Sequence, residues 1–65
     1  MSVERKTPLA KKLTALRKRL GLTQVAVAEL AGISRNAWVC WELDRRRPST
    51  MALKLLRLRF PEESF

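Results

Sequence analysis

"QVAVAELAGISRNAWVCWEL", residues 24–43, carries both tryptophans and the single cysteine of the chain, and its reading decides the fold. An uninterrupted helix is excluded by Gly32, which suits a left-handed turn, and by Ser34, which suits a helix N-cap. The stretch therefore divides into a helix opened by Thr23 and ended by Gly32, and another opened by Ser34 and running to about Leu43. Leu22 precedes the first cap and pairs with Val27; Ile33 precedes the second and pairs with Trp38, each a hydrophobic staple. Ala28 is small where the two helices must cross. Val27, Ala31, Ile33, Trp38 and Trp41 are apolar at the positions that would face a shared core. At about 100° per residue, Trp38 and Trp41 share one face with Ala37 beside them, while Asn36, Val39, Cys40 and Leu43 lie on the other. The tryptophans are expected as core filling rather than as base-stacking groups.

Working outward, Thr7-Pro8 has the form of an N-cap followed by proline at the first helical position. Leu9, Leu13, Leu16 and Leu20 follow at helical spacing, and Gly21 ends that helix. After the basic turn "DRRRP", a fourth helix is expected from near Ser49 through Leu58, and Pro61 disfavours helix at Phe60. No segment has the alternation of a strand. The expected division is a flexible N-terminal arm over 1–6, a folded domain over 7–60 and a short tail over 61–65.

A chain of 65 residues has little core, so its stability margin is small. One cysteine excludes an intrachain disulfide, and the absence of histidine leaves a zinc site without ligands. The 14 lysines and arginines against 6 acidic residues give a net charge of +8, which favours a polyanionic partner. The cations cluster at Lys11, Lys12, Lys18 and Arg19, and again at Arg45, Arg46 and Arg47. No stretch is long enough to span a bilayer, and no signal peptide is evident, so a soluble cytoplasmic protein is expected. Enzymatic chemistry is disfavoured: there is no histidine, no pair of carboxylates in a plausible cleft and no glycine-rich phosphate loop, and no cofactor is expected.

From about Leu13 to Leu58 the sequence resembles the Cro/lambda-repressor-type helix-turn-helix domains, also called the XRE family. The resemblance rests on "LRKRLGLTQ" (16–24), Ala28, Gly32, "IS" (33–34), "WE" (41–42) and "RRRPS" (45–49). It implies an all-α bundle of four or five helices that binds operator DNA as a homodimer, with the third helix in the major groove. In that arrangement Arg35 and Asn36 occupy the turn that meets base edges, where arginine pairs with guanine and asparagine with adenine. A phosphate contact is the competing role for Arg35. Val39 and Cys40 lie further along the same side, able to meet a thymine methyl; Cys40 is equally suited to be a half-buried filler. Phosphate contacts are expected from Gln24 and Ser34, at the starts of the second and third helices, and from Arg45, Arg46 and Arg47. Ser34 also suits a plain N-cap. The family's partly buried ion pair corresponds here to Arg17 and Glu42. Asp44 departs from the glycine usual after the third helix, but aspartate tolerates the left-handed conformation.

These features together predict a sequence-specific regulator of transcription on double-stranded DNA. The form expected is a repressor or autoregulator of a bacterial, phage or mobile-element operon, acting on a pseudo-palindromic operator. Leu58, Phe60 and Phe65 are the candidate dimer contacts; the phenylalanines are equally placed to cover the monomer's own core. Two alternatives remain: an antitoxin or antirepressor-type interaction module that also binds DNA, using the Val25/Leu30 side of the second helix, and a nucleic-acid binder without sequence preference.

Overall fold

The structure, a computed structural model, describes residues 7–65, and the arm expected over 1–6 lies outside them. Four helices follow one another: α1 (Pro8–Arg19), α2 (Gln24–Ala31), α3 (Arg35–Glu42) and α4 (Thr50–Arg59). There is no strand among the described residues. Each helix starts on a hydroxyl cap. Thr7, Thr23, Ser34 and Ser49 are extended, and their side-chain oxygens accept from the N–H groups of Ala10, Ala26, Ala37 and Ala52.

The helix ends follow from backbone sterics. Gly21 and Gly32 take positive φ (69° and 77°), turning α1 into α2 and α2 into α3. Asp44 takes the same left-handed conformation (φ 60°) as the chain leaves α3. Its carboxylate accepts from both the N–H and the hydroxyl of Thr7, at 3.0 and 3.2 Å. That links the exit of α3 to the start of α1.

The core is formed by Leu13 and Leu16 of α1, Val27, Ala28 and Ala31 of α2, Trp38 and Trp41 of α3, and Leu56 and Phe60 at the far end. Leu9, Leu22 and Ile33 are half-buried against it. Trp38 is fully enclosed; taking an indole out of water contributes on the order of 4–6 kcal/mol, a large share for so small a core. Leu20, expected on the α1 stripe, is instead exposed. The helix finishes at Arg19, so Leu20 sits in the cap rather than on the buried face. Ala10 is buried in α1 as well.

The tail folds back instead of projecting. Lys12 Nζ donates to the Ser64 carbonyl at 2.6 Å and Arg57 Nε to the Phe65 carbonyl at 3.0 Å. Arg19 pairs with Glu63. Phe65 is thereby packed against the core, near Leu9 and Leu53. Phe60 is a core residue outright. Of the three side chains expected at a dimer contact, only Leu58 stands on the surface.

Candidate nucleic-acid interface

α2 and α3 form the most extensive helix pair, joined by the Gly32 turn, and α3 also packs on α1. This leaves one long side of α3 free. Arg35 and Asn36 are exposed in its first turn, Val39 and Cys40 are half-buried further along, and Leu43 is exposed at its end. The structure thus brings the four expected base-contact residues to a single side, with both tryptophans on the opposite one.

Electrostatics distinguish this surface from an ordinary solvated helix face. None of the helices carries an acidic residue in its first turn. The N-cap of α1 is met by the Asp44 carboxylate from another part of the chain, whereas α3 begins with a cation, Arg35, which costs a few tenths of a kcal/mol at that end. Gln24 is half-buried at the first position of α2, beside N–H groups that have no partner within the helix. Ser34 uses an oxygen lone pair to accept from Ala37 N–H at 3.1 Å, which leaves its own O–H free to donate. Arg45, Arg46 and Arg47 are all exposed in the loop after α3, and the first two donate their backbone N–H groups to the Cys40 carbonyl. The basic loop is therefore fastened to the helix it follows.

Behind this surface, Glu42 fixes the seating of α3. Arg17 approaches it with two guanidinium nitrogens: Nε at 2.7 Å from Oε2 and Nη2 at 3.2 Å from Oε1. Thr14 donates its hydroxyl at 3.2 Å, and the Trp38 indole N–H donates from within the same helix. Arg17 also reaches the Leu22 carbonyl at 3.2 Å. One carboxylate and one guanidinium thus join α1, the α1–α2 turn and α3. Burial pushes the Glu42 carboxyl up, but the hydrogen bonds from Arg17, Trp38 and Thr14 and the Arg17 charge outweigh it, so its pKa lies below the ordinary value of 4.5. Among the described residues, no buried side-chain nitrogen or oxygen lacks a hydrogen-bond partner.

The sequence pattern identified the Arg17–Glu42 pair only through family resemblance, and it missed Thr14, the Trp38 indole donor and the Asp44–Thr7 link. A tryptophan four residues before a glutamate on one helix is the signal that would have found the second of these.

Among the described residues no group of acidic or cysteine side chains could hold a metal ion, and no helix is long and apolar enough to cross a membrane. Neither a curated protein nor a solved structure matches the chain. A family model described as "Helix-turn-helix domain" does match, over residues 8–58, from the first residue of α1 almost to the end of α4. That span includes the Gly32 turn, the free side of α3 and the basic loop. With most of its length so matched, and with four helices arranged about that turn, the chain belongs to the helix-turn-helix domain family, in keeping with a DNA-binding domain of the Cro/lambda-repressor type.

Proposed function

We propose that the protein is a sequence-specific transcriptional regulator, a repressor or autoregulator of its own or a neighbouring operon. The observation that carries this reading is the division of α3. Its apolar side is locked into the core by two tryptophans and Glu42, and its opposite side presents Arg35, Asn36, Val39 and Cys40 between helix N-termini and a triple-arginine loop. A rigid helix with adaptable polar groups on its free side suits readout in the major groove, while the flanking cations suit phosphates.

Two copies would bind the halves of a pseudo-palindromic operator. The described domain measures 36 × 26 × 23 Å, and half-sites one turn apart place their centres about 34 Å from each other. Neighbouring copies would meet over a limited area. Phe60 and Phe65 are committed to the monomer, so the symmetry of the DNA supplies most of the pairing.

Selection from a random duplex library at two salt concentrations tests this. Enrichment of a pseudo-palindrome with half-sites about 10 bp apart is expected; an unenriched pool with steep salt dependence would replace the regulator with a general polyanion binder. On the selected duplex, Arg35→Ala should lose discrimination at one base pair, about 1–3 kcal/mol. Arg46→Ala should weaken all sequences alike and reduce the salt slope by about one unit. If both variants behave identically, Arg35 is not a base-reading residue.

A further inference from the structure

Apart from the dimer contact expected at Leu58, the outer side of α4 has no role in the functions described so far. Met51 and Leu58, 73% and 74% exposed, are the most exposed of the large apolar side chains. With half-buried Leu55 they fall within about 60° of arc, one stripe along the helix. Val25 and Leu30 of α2 are less exposed and about 140° apart around their helix, so they form no such stripe. The charged side chains of α4 are all cations, and Arg59 lines a surface hollow together with Glu62 and Glu63 of the tail. Lys54 lies beside Leu58, Arg57 is on the side of the folded-back tail, and Arg59 is on the side of the Gly32 turn. α4 contains no acidic residue.

We infer that this face is a docking surface for a partner protein segment that presents an apolar ridge between acidic side chains. The charge pattern selects this occupant over the others. A second copy docked through the same face would bring Lys54 against its own counterpart with no anion on α4 to meet it, and like charges facing across an interface are disfavoured. Duplex DNA satisfies the cations but offers nothing to Met51 and Leu58. A lipid surface is favoured by interfacial aromatics, yet both tryptophans are buried and both phenylalanines face the protein's own core. An acidic amphipathic helix or strand meets both halves of the pattern, with apolar anchors for the stripe and carboxylates for its borders. α4 packs mainly on α2 rather than on α3, so such a partner would add to DNA binding rather than compete with the α3 surface.

The experiment is an NMR titration of the isotopically labelled full chain with two synthetic peptides of identical composition. One has leucines in a helical stripe flanked by glutamates; the other has the order permuted to abolish the stripe. The striped peptide is expected to shift the amides of residues 51–58 and to bind at least ~10-fold more tightly than the permuted one. The double variant M51Q/L58Q, altered only at exposed positions, should lose about that factor while keeping its melting temperature and its affinity for DNA. Equal binding of the two peptides, or shifts centred on Arg45–Arg47, would reduce the effect to net charge and overturn the inference. So would preferential, Met51- and Leu58-dependent binding to phosphatidylglycerol-containing vesicles, or concentration-dependent self-association through residues 51–58, either of which would name a different occupant.

Discussion

Glu42→Ala is expected to abolish cooperative folding near neutral pH. Removing the carboxylate leaves the Arg17 guanidinium, whose side chain is 19% exposed, with the Leu22 carbonyl but without its counter-charge. It also strands the indole N–H of Trp38 and the hydroxyl of Thr14. Breaking one member of a buried pair costs about 3–5 kcal/mol, and a domain of this size holds only roughly 3–10 kcal/mol in all. Thermal melts followed by far-UV circular dichroism will measure it; a melting temperature within a few degrees of the parent would refute the account of Glu42 as the joint between α1 and α3. Glu42→Gln keeps one oxygen, which can accept from Trp38 or from Thr14 but not from both, and it loses the charge, so it should fall between Glu42→Ala and the parent. The same carboxylate sets an acid limit. Its pKa is lower in the folded chain than the ordinary 4.5, so its contribution is complete above that value and is lost as the pH falls through the folded-state pKa. Stability of the parent should therefore decline below about pH 4.5, and Glu42→Gln should flatten that part of the profile.

Trp38→Ala is the other change of that size. Trp38 is the largest of the fully enclosed side chains, and truncating a buried aromatic costs about 3–5 kcal/mol through lost transfer energy and the cavity left behind. It would also remove a donor from Glu42. The variant should show no cooperative transition in urea, whereas Trp38→Phe, which fills much of the space but lacks the N–H, should fold with a reduced midpoint. If Trp38→Ala unfolds at the midpoint of Trp38→Phe, packing is not what Trp38 supplies. Either outcome bears on DNA binding, since the side of α3 opposite Trp38 is the one proposed to read bases.

The elements legible in the sequence are those decided by neighbouring residues. Hydroxyl caps at Thr7, Thr23, Ser34 and Ser49 mark helix starts because each bond closes within three residues. Gly21 and Gly32 mark turns because few other residues tolerate their φ. The two-sidedness of α3 was legible for the same reason, since periodicity is local. What escaped was decided at long range. Asp44 meets Thr7 across 37 positions of sequence, and Ser64 meets Lys12 across 52; no pattern in either segment announces the other. The tail gave no periodic signal, so the sequence left Phe60 and Phe65 open between a dimer contact and the monomer's own core, and the packed structure buries Phe60 and half-buries Phe65. Leu20 fits the stripe by spacing yet is exposed at the C-terminal end of α1.

The placement of the tryptophans has a spectroscopic consequence. Their ring centroids are 6.3 Å apart with planes inclined at 52°, and both rings lie on the side of α3 turned away from its exposed residues. Indoles that close couple their excited states, so the pair forms a chromophore whose geometry is set by the turn of α3 and whose surroundings change when that helix leaves the core. Its emission follows unfolding and is insulated from quenching by bases at the opposite side, which lets one sample separate loss of fold from loss of DNA without any attached dye.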